Sequence, residues 1–139
     1  MHILVVTSCC SKIKYAEIER DRVRQVLGAQ QKYFYFLLKG LALHKNLVVD
    51  TLTIPPVSFS SHKQRVWKAE SEVVDDINFH YIPFVNGRFS RYITQAKSAA
   101  KFIAKWNKQN DDEKVIIVDS LLAHISSPIQ KFAKKRKMT

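Results

Sequence analysis

The chain has 139 residues and a mass of 16.1 kDa, a size that suits one domain. Hydrophobic residues make up 46% and charged residues 25%, and with three glycines and four prolines the composition excludes a disordered linker or a collagen-like chain. Lysine and arginine number 23 against 12 acidic residues, and the net charge of +11 favours an anionic partner such as nucleic acid, a nucleotide, a polyanionic substrate or a membrane surface.

The hydropathy of the chain indicates a soluble, cytoplasmic protein. No apolar run approaches the roughly 18 residues of a membrane span, and the apolar residues 3–6 follow no basic leader of a secretory signal peptide. The two cysteines, Cys9 and Cys10, are adjacent, a spacing that disfavours a mutual disulfide and makes a poor zinc site. We interpret them as reduced thiols in a loop, with a catalytic or redox thiol as the minor alternative.

The first part of the chain has the pattern of a βαβ unit. The continuous apolar run His2–Thr7 predicts a central parallel strand, and the polar residues 8–25 predict a long loop. From residue 29 to about residue 46, apolar residues at three- and four-residue steps, widened by Tyr33 and Phe36, predict a helix. Residues 47–54 (LVVDTLTI) then predict a second strand, ended by two prolines, and the crossover between the strands should be right-handed.

The second part of the chain continues this alternation. Residues 88–107 predict the strongest helix. Its buried face is predicted to carry Ile93, Ala96, Ala100 and Ile103, supported by Phe89, Ala99 and Trp106. Another face of that helix carries a row of lysines: Lys97, Lys101, Lys105 and Lys108. Strands are predicted at residues 64–71 (weak, at a sheet edge), 77–84 and 115–119, with a turn at residues 86–87 and a final helix after Pro128.

Strands alternating with helices predict the α/β class, with a Rossmann-like open, mainly parallel sheet and helices on both faces. We divide the chain into a Rossmann-like domain at residues 1–125 and a basic carboxy-terminal helix, tail or linker start at residues 126–139. Ligands of such sheets bind outside the carboxyl ends of the strands, where the strand order reverses. Candidate functional residues are therefore sought in the loops that follow the predicted strands.

These loops supply candidate ligand-binding residues. Neither G-x-G-x-x-G nor G-x-x-x-x-G-K-[ST] is present, which disfavours autonomous binding of a dinucleotide or nucleoside triphosphate. The hydroxyls of Ser8 and Ser11 follow the first strand, and Asn86 follows the strand at residues 77–84. Gln31 and Lys32 open the first long helix beside the same edge, where they either face a ligand cleft or are solvated residues of a first helical turn.

Asp119 and His124 are the candidate catalytic residues. Asp119 ends a buried strand, where a carboxylate orients a hydroxyl or acts as a base; the alternative is an N-cap of the next helix. His124 comes five residues later and is either a second catalytic group or a surface imidazole. The histidines show no metal-ligand spacing, so no metal site is predicted.

Three segments carry a resemblance to a known family: residues 29–56 (AQQKYFYFLLKGLALHKNLVVDTLTIPP), residues 77–93 (INFHYIPFVNGRFSRYI) and residues 115–122 (VIIVDSLL). Over most of residues 1–125, these segments and the order of the predicted strands and helices resemble the amino-terminal half of GT-B glycosyltransferases of family 4. The resemblance is to the bacterial enzymes that build polysaccharides or glycolipids. The resemblance implies an acceptor-binding domain that faces a donor-binding domain. It also implies sugar transfer from a nucleotide-sugar donor with no obligatory metal or other cofactor.

The resemblance also implies a partner for this chain. The E-x7-E signature of the family's donor-binding domain is absent here. We therefore expect a donor-binding carboxy-terminal domain or subunit as partner. Together the two parts would have hexosyltransferase activity, with this chain binding the acceptor. This chain alone should be inactive. Its acceptor would be a saccharide or a lipid-linked sugar, and the uncovered domain face would make the chain self-associate.

The alternative interpretation is a non-catalytic basic interaction module. The row formed by Lys97, Lys101 and Lys105, together with the basic tail at residues 131–137, is either a solvated face or a contact for anionic headgroups at the inner membrane face. A nucleic-acid binder would need a recognition motif, or aromatic residues interleaved with lysine or arginine on an exposed sheet, and neither is evident.

Overall fold

The computed structural model describes residues 1–23, 29–109 and 113–136. Within these residues the strands are β1 His2–Thr7, β2 Val48–Thr53, β3 Val66–Trp67, β4 Glu70–Val74, β5 Ile77–Tyr81, β6 Phe84–Val85 and β7 Lys114–Val118. The helices are α1 Lys12–Arg20, α2 Ala29–Ala42, α3 Ser90–Gln109 and α4 Ala123–Arg136.

Five of these strands form one sheet in the order β4-β5-β2-β1-β7, and β3 pairs with β6 separately. β1 pairs in parallel with both β2 and β7, β2 pairs in parallel with β5, and β4 joins β5 antiparallel. In this register Val5 lies opposite Thr51 of β2 and Ile117 of β7. The predicted α/β class, with an open and mainly parallel Rossmann-like sheet, is confirmed, and the apolar run of β1 follows from its position between two neighbours.

Helices cover both faces of the sheet. On one face, the indole of Trp106 on α3 contacts the side chain of Asp50. On the other face, the hydroxyl of Thr53 donates to the backbone carbonyl of Cys9. The thiol of Cys9 in turn contacts the backbone of Gln31 on α2. Successive side chains of a strand point to opposite faces, so Asp50 and Thr53 mark the two sides. At the centre of the core between these layers, six apolar side chains are completely buried: Leu4, Val5, Val6, Leu52, Ile77 and Phe79.

The predicted loop at residues 8–25 is wrong in part, because residues 12–20 form α1. The side chain of Ser11 caps this helix by accepting a 3.1 Å hydrogen bond from the backbone N–H of Lys14. Ile18 is the buried residue of the helix. This short helix depends on its cap and buries one large side chain. It therefore has no apolar periodicity in the sequence, and the hydropathy pattern predicts a loop.

The buried stripe of α2 is narrower than predicted. Tyr35 and Leu38 are buried, and Phe34 packs partly buried against the core. Tyr33 and Phe36, which were expected to widen the stripe, are 66% and 72% exposed. A helix on one face of a sheet covers it with one stripe, and aromatic side chains beyond that stripe stay in solvent.

The predicted buried face of α3 is correct for Ile103, Ala99 and Trp106 and wrong for Ile93. The observed face is formed by Gln95, Ala99, Ile103 and Trp106, whereas Ile93 is 58% exposed. Steps of four, four and three residues place those four side chains on one side of the helix. Because Gln95 is polar, the sequence pattern assigns the first turns of the buried face to Ile93 instead of Gln95.

The chain leaves the main sheet earlier than the strand predicted at residues 77–84. β5 ends at Tyr81, and Pro83, which has no N–H to donate to a ladder, separates it from β6. α4 begins at Ala123 and continues past the domain limit predicted at residue 125, and its Ile129 is buried in the core. The side chains of the basic tail at residues 131–137 lie outside the described residues.

Candidate functional site

The strand order reverses at β1. From β1 the chain proceeds to β2 and β5 on one side of the sheet and then returns to β7 on the other side. In open α/β sheets, ligands bind at such a reversal, outside the carboxyl ends of the strands. Ser8 directly follows β1 and Asp119 directly follows β7, so these two residues flank the reversal point.

A cavity of about 340 Å³ lies at this edge and is called the carboxyl-edge cavity below. Its polar lining includes Ser8, Gln30, Gln95, Asp119 and His124, and Tyr92 and the two prolines that follow β2 also line it. The volume is within the range of about 300–1,000 Å³ that is typical of small-molecule sites. The carboxyl-edge cavity thus brings together three of the residues predicted from the sequence: Ser8, Asp119 and His124.

Asp119 connects three elements at the base of this cavity. Its Oδ1 accepts a 3.0 Å hydrogen bond from the backbone N–H of Leu121, and its backbone carbonyl accepts from the N–H of Leu122. Its Oδ2 accepts a 3.3 Å hydrogen bond from Nε2 of Gln30 on α2. Asp119 is therefore not the N-cap of α4, which begins at Ala123. It supports the turn before that helix and presents one oxygen toward Gln30 and the cavity.

His124 is held by α3. Its Nε2 lies 3.0 Å from Oε1 of the buried Gln95, and its ring meets the ring of Tyr92 edge to face at a centroid distance of 5.1 Å. An Nε2–H that donates to Gln95 leaves Nδ1 of the neutral ring as an acceptor. Burial lowers the pKa of His124, and the nearby positive charge of Arg91 lowers it further. The ring therefore favours its neutral form near pH 7.

This combination of groups suits a polyhydroxylated ligand. A hydroxyl donates and accepts at once, and the cavity offers an acidic acceptor in Asp119, two amides in Gln30 and Gln95, and the imidazole of His124. The ring of Tyr92 and the neighbouring proline rings give it an apolar wall. A neutral imidazole is also the form that removes a proton from a hydroxyl.

The other four predicted ligand-binding residues lie elsewhere, and three of them, Ser11, Gln31 and Asn86, have structural contacts. Ser11 is fully buried and caps α1. The side chain of Gln31 forms two hydrogen bonds with the backbone of Cys10, of 2.9 and 2.7 Å. Lys32 is exposed on α2, and the buried Asn86 donates to the carbonyl oxygens of Ser58 and Gln64. None of these four lines the carboxyl-edge cavity.

Sequence reasoning missed several residues of the cavity. Gln95 and Arg91 reach it from the first turns of α3, and Ser58 and Ser61 reach it from the segment between β2 and β3. One signal was present in the sequence: Gln95 is a polar residue on the otherwise apolar face that contains Ala99 and Ile103.

A larger cavity, of about 540 Å³, lies against the sheet face beneath α3. Asp50 is at its floor, where Oδ1 accepts a 2.9 Å hydrogen bond from Asn78 and Oδ2 accepts one of 2.8 Å from Trp106. His80 lies between Asp50 and Ser71, with Nδ1 3.0 Å from the serine hydroxyl. These hydrogen bonds join the sheet to the helix that covers it, and Asp50 lies in the middle of β2, away from the carboxyl ends of the strands where ligands bind, so we assign this cluster to the stability of the fold.

Comparison of the chain with protein-family models, with curated proteins and with solved structures finds no match in any of the three. Among the described residues, no helix combines the length and the apolar character needed to cross a bilayer. The same part of the chain contains no group of three histidine, cysteine, aspartate or glutamate side chains that is placed to hold a metal ion. A functional conclusion therefore depends on the geometry of the carboxyl-edge cavity.

Proposed function

We propose that this chain is the acceptor-binding domain of a glycosyltransferase that moves a sugar from a nucleotide-sugar to a saccharide or lipid-linked acceptor. The observation that carries the proposal is the convergence of Ser8, Asp119 and His124 on one cavity at the point where the strand order reverses. These residues come from opposite ends of the chain, and they meet where a Rossmann-like sheet binds its ligand.

In this proposal His124 receives the proton of the acceptor hydroxyl. The hydroxyl oxygen then forms the new bond to the anomeric carbon of the donor, the bond between that carbon and the donor's phosphate oxygen breaks, and the nucleoside diphosphate leaves. Asp119 fixes Gln30, and Gln95 fixes the ring of His124, so both amides would position the acceptor. The donor phosphates need charged groups in a preorganised site, which the proposal assigns to a second domain or subunit.

The test is a titration of the isotope-labelled chain with neutral saccharides, namely methyl hexosides, N-acetylhexosamines and short oligosaccharides, followed by NMR. We expect shifts at Ser8, Gln95 and residues 119–124. Asp119→Asn and His124→Gln should each weaken binding about tenfold, the value of one hydrogen bond of about 1.4 kcal/mol.

Matched controls are Asp76→Asn and His44→Gln, both at exposed positions away from the cavity. Asparagine is tolerated at position 76, where φ is 58°. Both controls should bind as the parent does. The proposal fails if no saccharide shifts the cavity residues at millimolar concentration, or if the shifts map elsewhere. Residues 1–139 mixed with a nucleotide-sugar and an acceptor should transfer no sugar.

A second candidate function, a basic module that docks on an anionic membrane, is favoured by one observation. Lys97, Lys101 and Lys105 are exposed along α3, on the side away from its buried residues. The two candidates are separable, because saccharide binding depends on the carboxyl-edge cavity and membrane binding depends on this row.

A further inference from the structure

A smaller recess of about 210 Å³ adjoins the carboxyl-edge cavity. It is lined by Ser58, Phe59, Ser60, Arg88 and Arg91, and we call it the arginine recess. Ser58 and Arg91 line both spaces, so the recess borders the carboxyl-edge cavity. Two guanidinium groups and two hydroxyls surround this space, and none of its lining residues is acidic.

The serine side of the arginine recess is built by a hydrogen-bonded turn. The backbone N–H of Ser58 donates to Oγ of Ser61 at 2.9 Å, the two hydroxyls are 2.8 Å apart, and the N–H of Ser61 donates back to the carbonyl of Ser58. Asn86 donates to that same carbonyl at 3.0 Å, which ties the turn to the residue after β6. The recess therefore has a wall that is already in place before any ligand binds.

The arginines are placed differently on the opposite wall. Arg91 donates from Nη1 to the carbonyl of Val57 at 3.2 Å, and its guanidinium lies over the ring of Tyr92, 4.4 Å from the centroid. Arg88 is exposed at the rim. Phe59 forms the outer edge, where the guanidinium of Arg65 stacks on its ring at 3.9 Å. A planar guanidinium with five donors matches the geometry of a phosphoryl group better than a lysine does.

We propose that the arginine recess binds the phosphoryl group of a glycosyl phosphate acceptor whose sugar occupies the carboxyl-edge cavity. This inference depends on the proposed function and makes it more specific, since it names a phosphorylated acceptor class. Arg88 and Arg91 would contact the phosphoryl oxygens, with the hydroxyls of Ser58 and Ser60 opposite. The group attached to the far side of the phosphate would then lie beside the half-exposed Phe59.

The test compares four probes by calorimetry: a methyl hexoside, the corresponding hexose 1-phosphate, the hexose phosphodiester of a ten-carbon alkyl alcohol, and inorganic phosphate. We expect the hexose 1-phosphate to bind at least about tenfold more tightly than the methyl hexoside. Arg88→Gln should remove this advantage without changing the affinity for the methyl hexoside, because Arg88 lines only the recess. Arg20→Gln, an equally exposed arginine on α1, should change neither affinity.

The probes also distinguish the source of the phosphate. Tighter binding of the alkyl phosphodiester than of hexose 1-phosphate supports a lipid-linked acceptor, and equal binding supports a soluble sugar phosphate. Equal affinity for the methyl hexoside and hexose 1-phosphate overturns the inference and leaves the proposed function standing. A phosphate advantage that survives in Arg88→Gln overturns the assignment to this recess. Binding of inorganic phosphate with no binding of any hexoside overturns the sugar part, and with it the proposed function.

Discussion

The indole Nε1 of Trp106 on α3 donates a 2.8 Å hydrogen bond to Oδ2 of Asp50, a buried carboxylate in the middle of β2. The other oxygen of Asp50 accepts from Asn78 of the neighbouring β5 at 2.9 Å. Burial by itself raises the pKa of Asp50, but hydrogen bonds from His80, Trp106 and Asn78 outweigh it and lower the pKa below its ordinary value of 3.8. One carboxylate therefore joins two strands and the helix that covers them.

Removal of this carboxylate should destabilise the fold strongly. Asp50→Ala takes away the acceptor of two buried donors, each costing about 1–3 kcal/mol, so we expect the free energy of unfolding to fall by about 2–4 kcal/mol. Urea denaturation at pH 7 measures the change. Asp21→Ala, at an exposed position, should stay within about 0.5 kcal/mol of the parent. A loss below 1 kcal/mol in Asp50→Ala would show that the cluster contributes little.

The same carboxylate predicts how stability depends on pH. Because the folded-state pKa of Asp50 is lower than its unfolded value, its contribution is complete above about pH 5 and is lost as pH falls through the folded pKa. The stability difference between the parent and Asp50→Asn should therefore be constant down to about pH 5 and shrink between pH 4 and pH 3. Urea midpoints at pH 5, 4 and 3 measure it, and a difference that persists undiminished at pH 3 would contradict the assignment.

The parallel pairing of β1, β2 and β7 was predictable from the sequence because these strands are mainly apolar. β1 and β7 are apolar runs, and in β2 the apolar Val49 and Leu52 flank the buried Asp50 and Thr51. The helix α1 was not predictable in the same way, since it buries mainly Ile18 and depends on a serine cap. Helix faces were predictable only in part. Gln95 of α3 is buried, and a polar residue at a buried position gives no signal in the hydropathy pattern.

The residues of the candidate site that come directly after a predicted strand could be predicted from the sequence. The sequence singled out Asp119 because it directly follows a predicted strand, and His124 because it comes five residues later. Gln95 and Ser58 were not found, because they reach the same cavity from distant elements that only tertiary packing brings together. Gln31 was misplaced for the same reason: the sequence shows that it opens a helix, but not that its amide binds the backbone of Cys10.

The two cysteines should be unreactive in the folded protein. Burial raises the pKa of Cys9 to about 12, and burial followed by the neighbouring Cys9 raises the pKa of Cys10 well above its ordinary value. The thiolate is the nucleophile, so thiol labelling at pH 7.5 should be at least about a hundredfold slower than for a free cysteine with a pKa near 8.5. Both thiols should label rapidly in urea. Rapid labelling of either thiol in the native protein would instead favour the alternative of a redox or catalytic cysteine.

His124 predicts the pH dependence of saccharide binding. Burial and the charge of Arg91 lower its pKa below 6.5, so the neutral ring persists at pH 7 and becomes protonated only as pH falls below that value. If Nδ1 of the neutral ring accepts from the ligand, affinity for a methyl hexoside should be constant from pH 8 to about 6.5 and decrease at lower pH. Titrations of His124→Gln should lack this decrease, and those of His44→Gln should retain it. A decrease that begins above pH 7 would point to another group.

The lysine row of α3 should bind anionic vesicles if the chain also contacts a membrane. Each exposed lysine near such a surface contributes up to about 1 kcal/mol, so changing Lys97, Lys101 and Lys105 to glutamate should reduce vesicle binding by at least about a hundredfold. Binding of the parent should also weaken as salt rises, since exposed charges are screened beyond about 8 Å at physiological ionic strength. Cosedimentation with vesicles that contain an anionic phospholipid measures both effects.

A second triple variant separates the row from the net charge of the molecule. Changing Lys32, Lys45 and Lys68, which are exposed at scattered positions, to glutamate lowers the net charge of +11 by the same amount as the row variant does. A patch binds because its charges lie together on one helix face, so this control should keep most of the vesicle binding. Equal losses in the two variants would mean that only the overall field attracts the chain to the surface. Unchanged binding in the row variant would identify the row as a solvated helix face.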